Sequence, residues 1–201
     1  MTWGEMKINA LQRMFAITGS EIVEDDSTRP YLTGMPGAAN EALQLLSTAG
    51  KFLVKMVEIV QDGAGAGVRR YDLKELAEDF YTVRENQIFF EDGERYGQTA
   101  EFLFESWNIL VLPAERAGTW RVYYNAYPPP VTQQTADGYE MPLDPEVAVL
   151  VPLYMASQLY KEDDIGLATQ YRNEFEVARE ELRGVEVPAT NREFESSSGW
   201  W

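Results

Sequence analysis

The sequence predicts an α+β protein: a bundle of about four helices with an antiparallel β-rich domain inserted into it. Three observations carry this prediction. Apolar residues recur at three- and four-residue spacing near the N-terminus and again after residue 143, which is typical of helices. From Val68 onward the spacing changes to two, which indicates strands. Turn signals such as Asp92-Gly93 separate the short β segments, and such short connections favour antiparallel pairing.

The N-terminal part is predicted to contain two helices. Thr2 and Glu5 form a capping-box pattern that starts the first helix, which we expect to end between residues 17 and 19. The acidic stretch 20–33 is predicted to be an irregular loop, and Pro36 to occupy the first turn of the second helix. Residues 51–60 fit a helix or a strand, and the QDGAGAG stretch at 61–67 fits a linker or turn. The inner faces are predicted to be Ile8, Leu11 and Phe15, then Ala39, Leu43 and Leu46.

The middle of the chain is predicted to form strands. In the last strand the alternation predicts two faces. One face carries Trp120, Val122, Tyr124 and Ala126, and the other carries Arg121, Tyr123, Asn125 and Tyr127. Three prolines at 128–130 forbid a central strand beyond this point. The predicted strands are Phe80–Val83, Gln87–Phe90, Glu101–Glu105, Asn108–Leu112 and Thr119–Tyr127.

A helical hairpin is predicted at Leu143–Leu182. Asp144 can cap its first helix and Pro145 suits the first turn. This first helix is apolar nearly all round, so it should be buried on every face. The acidic corner at 162–164 should end it and cap the second helix, whose inner stripe is Ala168, Tyr171, Phe175, Ala178 and Leu182.

These elements give a predicted division of the chain. Residues 1–67 form the N-terminal helical part of the bundle, and 68–131 form the inserted β-rich domain. Residues 132–184 form the helical hairpin that completes the bundle, and 185–201 form an extended tail.

Composition excludes several function classes. The 201-residue chain has no Cys and no His, which removes thiol chemistry, the commonest general base and the commonest transition-metal ligand. Its net charge of −16 opposes site-specific binding to phosphate backbones. The N-terminus lacks an apolar signal-peptide core and no segment reaches membrane-spanning length, so we expect a soluble protein made in the cytoplasm.

The remaining chemical motifs are weak. Carboxylates lie on scattered loops and strands, so a catalytic pair is not favoured. The acidic clusters at 24–26 and 162–164 fit solvated turns and helix caps better than a calcium loop. The glycine-rich stretch lacks the ending of a phosphate-binding loop. Arg69-Arg70 fits a local ion pair or a subunit contact better than a nucleic-acid site. We therefore predict no enzyme activity, no catalytic residue, no metal and no cofactor.

A resemblance to a known family adds a functional expectation. The segment TWRVYYNAYPPPVTQQTADGYEMPLDPE, followed by LYMASQLYKEDD, resembles the neck adaptors of tailed bacteriophages, which are also called head–tail connector or head-completion proteins. The likeness is most specific from Tyr123 to Phe175. Weaker likeness runs through TWGEMKINALQRMF, MPGAANEALQLL and YDLKELAEDFYTV.

The resemblance implies a structural role in the virion. It implies a homo-oligomeric ring, usually of twelve copies, between the portal protein and the next neck or tail component. DNA would pass through the ring without sequence-specific binding, and no membrane would be involved. One alternative is another tail-tube, capsid or decoration protein. An alternative of a different class is a carbohydrate-binding or glycoside-cleaving protein that uses β-domain aromatics and carboxylates.

Two sets of residues are predicted to contact the portal or a neighbouring subunit. Trp200 and Trp201 end a Ser/Gly-rich stretch that has no apolar core of its own, and exposed Trp is common at binding hot spots. The second set lies on the polar face of the last helix. Its members are Arg172, Glu174, Glu176, Arg179 and Glu180.

Overall fold

A computed structural model describes residues 1–15, 22, 24–47 and 53–182 of the protein. The described chain combines helices with two antiparallel sheets, which confirms the predicted α+β class. It divides into two compact units. The described residues of unit 1 lie within Met1–Leu53 and Tyr127–Glu186, and those of unit 2 are Val54–Ala126.

The helices and strands are bounded as follows. The helices are α1 (Trp3–Phe15), α2 (Arg29–Ser47), α3 (Leu73–Leu76), α4 (Pro145–Ala148), α5 (Leu150–Leu159) and α6 (Ile165–Leu182). The strands are β1 (Leu53–Asp62), β2 (Val68–Asp72), β3 (Phe80–Glu91), β4 (Tyr96–Gln98), β5 (Leu103–Ser106), β6 (Ile109–Pro113) and β7 (Ala117–Ala126).

The predicted capping box starts α1. The Thr2 backbone N–H donates to Glu5 Oε2 at 2.8 Å, and the Glu5 N–H donates to Thr2 Oγ1 at 3.2 Å. The buried face of α1 differs from the predicted one, because Ile8 and Phe15 are only half-buried. α1 packs against α5, and this neighbour decides which stripe is covered. The buried residues of α1 are Trp3, Gly4, Met6, Ala10, Leu11 and Met14.

α2 begins at Arg29, so the predictions of a loop to residue 33 and a helix start at Pro36 are wrong. Pro36 lies inside the helix and supplies no N–H for the Leu32 carbonyl. The Gln133 side chain compensates, because its Nε2 donates to the carbonyls of Leu32 at 3.4 Å and Thr33 at 2.6 Å. A residue about 100 positions away therefore allows the helix to continue through the proline. The predicted inner residues Ala39, Leu43 and Leu46 are buried.

The ambiguous segment after residue 52 is a strand. β1 runs to Asp62, and the glycine-rich stretch that follows turns into β2, as the turn prediction required. Gly63, Gly65 and Gly67 have φ values of 70°, 137° and 87°, which residues with a side chain rarely adopt. Asp62 Oδ1 accepts the Ala64 N–H at 3.0 Å and fixes the start of the turn.

Unit 2 contains both sheets. The four-stranded sheet has the order β1-β7-β3-β4, and the three-stranded sheet has the order β2-β6-β5. The segments predicted as two strands at 80–83 and 87–90 form one strand, β3, whose pairing with β7 shifts register between Val83 and Ile88. The sequence did not predict β2 and β4. The four residues predicted to share one face of β7, Trp120, Val122, Tyr124 and Ala126, are all buried.

The C-terminal helical hairpin lies in unit 1. Pro145 starts α4, and Asp144 stands at its N-cap without a side-chain cap hydrogen bond. Every residue from Leu150 to Ser157 is buried, which confirms the prediction for the apolar helix. Val149, between α4 and α5, is 49% exposed, and Leu159 and Tyr160 at the end of the predicted helix are half-buried, so the prediction is wrong for these three residues. Ala168 and Phe175 are buried on α6, as predicted.

Long-range hydrogen bonds join the two chain segments of unit 1. The Asn40 side chain on α2 donates to the Val131 carbonyl and accepts the Val131 N–H, both at 2.9 Å. The N–H groups of Trp3 and Gly4 at the start of α1 donate to the carbonyls of Tyr139 and Asp137. Among the helices in the described ranges, none is both long enough and apolar enough to cross a membrane.

Candidate interaction surfaces

The predicted contact residues on α6 are mostly engaged within unit 1. Arg172 Nη2 lies 2.5 Å from Glu176 Oε1, and Arg179 Nη2 lies 2.7 Å from Glu176 Oε2. The Arg172 guanidinium also lies 4.9 Å from the ring centroid of Tyr154 on α5. Partial burial opposes the charged form of Arg172, but contacts with Tyr154 and Glu176 outweigh it and raise the pKa. The two ion pairs lie within α6, and Arg172 also joins α6 to α5 through Tyr154, which the sequence did not predict.

The outward stripe of α6 is shifted from the predicted one. Glu174 and Glu180 are exposed, and Val177 between them is 59% exposed. These three residues, at three-residue spacing, share a face that can contact another molecule. We call them the α6 stripe. Trp200 and Trp201, the other predicted contact residues, lie outside the described part of the chain.

The two acidic clusters act as turn and cap elements. Asp25 Oδ1 accepts from the Ser27 hydroxyl and from the backbone N–H groups of Ser27 and Thr28, and these bonds lower the pKa of Asp25. Asp164 Oδ1 accepts the Leu167 N–H at 3.0 Å, which confirms the predicted cap of α6. Within the described ranges, no group of three or more carboxylates is arranged to hold a metal ion.

A tyrosine contacts the second acidic cluster. The Tyr31 hydroxyl on α2 donates to Asp163 Oδ2 at 2.5 Å, and this bond raises the pKa of Tyr31 to about 12. The Tyr31 ring also packs edge-on against Phe15, with the centroids 4.9 Å apart. The acidic corner between α5 and α6 is thereby tied to α2.

A shallow groove of about 300 Å³ lies in unit 1. Its apolar residues include Val149, the exposed exception in the buried helical segment, and Pro152. Arg13 on α1 adds a positive charge. A groove of this size and composition suits a single apolar side chain from a partner. Its lining residues are Met1, Asn9, Gln12, Arg13, Val149 and Pro152.

The sequence-based reasoning missed an exposed tryptophan on unit 2. Trp107, in the turn between β5 and β6, is 56% exposed and stacks on Phe80 at 5.9 Å between centroids. Lys74 Nζ lies 4.3 Å from its ring centroid, and Leu76, two residues after Lys74 on α3, is 45% exposed. We call Trp107, Lys74 and Leu76 the Trp107 patch. The available signal was the position of Trp107 in a connection between two predicted strands.

Arginine ion pairs brace unit 2. Arg70 Nε and Nη2 bond the Glu105 carboxylate at 2.6–2.9 Å, and Arg69 Nη2 lies 2.8 Å from Asp62 Oδ1. These contacts confirm the predicted local ion pair for Arg69-Arg70. The bonds with Arg70 lower the pKa of Glu105, so its charged form is favoured.

One face of the four-stranded sheet is rich in aromatic and charged side chains. Arg121 on β7 bonds Glu58 Oε1 at 2.8 Å and Glu91 Oε2 at 2.6 Å. Its guanidinium lies 5.4 Å from the centroid of Tyr96, which stacks on Phe89. The two carboxylates keep the pKa of Arg121 above its usual range. The face is held together by its own contacts and centres on a permanently charged arginine.

Comparison with known proteins adds no family assignment. No protein-family model matches this chain, and a search of curated proteins finds no significant match.

Proposed function

We propose that this chain is a structural virion protein: a subunit of the neck ring that joins the portal to the tail of a tailed bacteriophage. In this role it performs no chemistry, and ring closure and docking are its mechanism. The ring would contain about twelve copies, as is usual for the family the sequence resembles. Its acidic surface would limit adhesion of the DNA that passes through it.

The architecture we propose for this role is a helical bundle with an inserted β domain. It is supported by the composition of unit 1 from two separated chain segments, with the described residues of unit 2 lying between them in sequence. The Asn40–Val131 hydrogen bonds and the Gln133 contact with α2 join the first segment to the second. Such joints allow one helical unit to continue on both sides of an insertion.

The observation that carries the proposal is the position of the adaptor-like segment in the fold. The residues with the most specific resemblance include the hydrogen-bonded stretch at 131–141 and the buried helix α5. The residues that resemble the neck adaptors therefore belong mainly to unit 1. This is expected if the two share the same architecture.

A cyclic ring needs two different surfaces on each subunit, because its contacts are head-to-tail. The described chain offers suitable candidates: the α6 stripe and the Val149 groove on unit 1, and the Trp107 patch on unit 2. We propose that these surfaces, together with Trp200 and Trp201, contact the neighbouring subunit, the portal or the next neck component. Of the contact residues predicted on α6, Glu180 is exposed. Arg172, Glu176 and Arg179 also make contacts within unit 1.

The proposal is tested by assembly of this chain with a phage portal protein. Purified full-length chain, alone and mixed with portal, would be examined by electron microscopy and native mass spectrometry, and a closed ring on the portal is expected. Trp107→Ser and Glu180→Lys should reduce ring formation. Ile165→Ser, which alters another exposed residue of unit 1, should not.

Deletion of residues 195–201 tests the predicted role of Trp200 and Trp201. We expect the truncated chain to attach less well to the portal. Unchanged attachment would exclude the tail as a contact. A chain that never forms a ring, with or without portal, would contradict the whole proposal, as would a gene that lies away from portal and capsid genes.

Another tail-tube or capsid-associated protein is the nearest alternative, and partner choice distinguishes it. Such a protein would bind tail or capsid components and leave the portal unoccupied. The same mixing experiment, repeated with tail-tube and capsid proteins, would detect this.

A carbohydrate-binding or glycoside-cleaving protein is the alternative from another class. Its natural site would be the sheet face with Phe89, Tyr96 and Arg121. Sugar stacking requires an aromatic face that is open to the ligand, but Tyr96 already contacts Phe89 and Arg121. Glu58 and Glu91 both bind one guanidinium, whereas a glycosidase pair must flank the scissile bond. Glycan-array binding by a monomer would favour this alternative.

A further inference from the structure

We propose that the free edge of β1 pairs in antiparallel fashion with β1 of a second copy of this chain. In the described sheet, β1 lies at one end of the order β1-β7-β3-β4, so one row of its backbone N–H and C=O groups lacks a strand neighbour. β1 has 10 residues, whereas β4 at the other edge has 3. A long edge strand is where another chain can extend a sheet.

The side chains of β1 also favour coverage by a partner. Val54, Met56 and Val60 are 40%, 39% and 74% exposed, and their even numbering places them on one face of the strand. Glu58 on the same face is neutralised by Arg121 at 2.8 Å. Exposed apolar side chains along a free edge are a liability for a monomer, and pairing of two such strands covers them.

Lysine on an edge strand commonly prevents such pairing, so Lys55 needs explanation. Its Nζ lies 2.5 Å from Asp79 Oδ2 in the same unit, and it belongs to the opposite face from Val54. Partial burial opposes the charged form of Asp79, but hydrogen bonds from Lys55 and Tyr124 outweigh it and lower the pKa. The lysine charge is thus matched within its own subunit.

The sequence of β1 selects one register for this contact. Directly opposite residues in an antiparallel pair point to the same face, so the two-fold axis must pass through a residue position. An axis at Val57 places Val54 opposite Val60 and Met56 opposite Glu58. An axis at Glu58 would place this carboxylate opposite its own copy. An axis at Met56 would place Val54 opposite Glu58, so the Val57 register gives the best match of charge and apolar surface.

The occupant is a second copy because the strand complements itself about Val57. Such a contact is isologous, and it cannot by itself close a ring. The inference therefore goes beyond the proposed function. It predicts pairs of free subunits, or two rings held back to back, and its test uses the chain without portal.

Cysteine cross-linking tests the register, since the chain contains no Cys. Val54→Cys and Val60→Cys proteins, mixed and treated with a short bis-maleimide, should give cross-linked dimers. Each variant alone should give severalfold less, because identical positions would lie six residues, about 20 Å, apart. Val68→Cys, at an exposed position on β2, is the matched control and should remain uncross-linked with either partner.

Light scattering of the full chain tests the dimer itself. We expect a concentration-dependent dimer whose dissociation constant rises about tenfold in Val60→Lys, because two symmetric Val54–Val60 pairs are lost. Val68→Lys should dimerise like the native chain, and circular dichroism should show both variants folded. A chain that stays monomeric at high micromolar concentration would overturn the proposal. Absence of the 54–60 cross-link in the free chain would also overturn it, and a closed ring of that same chain on the portal would leave the proposed function intact.

Discussion

The two units achieve order in different ways. Unit 1 surrounds helix α5 with one continuous hydrophobic cluster, in which Met155, Ala156 and Phe175 are completely buried. Unit 2 alternates buried and exposed residues along its strands and contains most of the exposed large hydrophobic side chains of the described chain. The difference indicates that volume filling dominates stability in unit 1. In unit 2, turn geometry and strand register dominate, and surface is left for partners.

The largest effect should come from emptying the core of unit 1. Phe175 is fully buried and packs edge-on against Tyr154, with the centroids 4.9 Å apart. Phe175→Ala should reduce the free energy of unfolding by about 4 kcal/mol, because a cavity remains where the ring was. Denaturant unfolding measures this loss. Val177→Ala, on the exposed side of α6, should change it by less than about 0.5 kcal/mol.

A backbone substitution should have the next largest effect, in unit 2. Gly118 has φ +148°, and an added Cβ would lie 2.4 Å from the Glu91 carbonyl oxygen. Gly118→Ala should cost about 3 kcal/mol through strain and overpacking. Gly67 has φ +87° with nothing within 4 Å of an added Cβ, so Gly67→Ala should cost about 1 kcal/mol. Thermal unfolding measures both losses of stability. If they are equal, the cost of replacing these glycines comes from backbone conformation alone and not from crowding around the added Cβ.

A smaller effect separates two aspartates at helix starts in unit 1. Asp164 caps α6 through the Leu167 N–H, whereas Asp144 makes no side-chain cap bond. Asp164→Ala should reduce the free energy of unfolding by about 1 kcal/mol, and Asp144→Ala should reduce it by only about 0.3 kcal/mol. Urea unfolding of the two variants makes the comparison. A larger loss for Asp144→Ala would mean that charge near the helix dipole matters more than the hydrogen bond.

The last effect is absent near neutral pH and appears only at alkaline pH, once in each unit. The bond to Asp163 raises the pKa of Tyr31 to about 12, and burial followed by the bond to Asp79 raises the pKa of Tyr124 to about 12. An unfolded tyrosine titrates near pH 10. Both groups therefore contribute stability that is complete below about pH 10 and is lost as the pH rises through about 12.

Absorbance titration of the phenolate bands checks this pH dependence. Tyr31→Phe and Tyr124→Phe should each remove one tyrosine that ionises near pH 12. Near neutral pH, each variant should differ in stability from the native chain only by the hydrogen bond that it loses. A native titration curve in which all tyrosines ionise near pH 10 would contradict the assignment for both units.

The sequence predicted the elements whose signals are local. The capping box at Thr2, the cap at Asp164 and the shared face of β7 depend on a few neighbouring residues, and all are observed. The apolar helix after Pro145 is observed as a run of buried residues from Leu150 to Ser157. The start of α2 was missed because the side chain that bonds the carbonyls before its interior proline, Gln133, lies far away in sequence. The single strand β3 was split because its register shift interrupts the alternation.

The candidate surfaces were predicted less completely. Helical periodicity placed Arg172, Glu176 and Arg179 on an outer face, but the Tyr154 ring attracts the Arg172 guanidinium and draws this side of α6 into the unit. The exposed Val177 lies on the stripe that remains. Trp107 gave no periodic signal because it lies in a turn.

By itself, the sequence determined the α+β class, the helical ends and strand-rich middle, and the absence of Cys and His that directs functional expectations away from most catalytic chemistries. Periodicity, caps and composition act over a few residues, so they can be read along the chain. Only the tertiary structure decided how α2 passes its proline, which face of α6 remains outside and where unit 2 leaves an unpaired strand edge. Each of these depends on contacts between residues that are distant in sequence, and no local sequence pattern predicts such contacts.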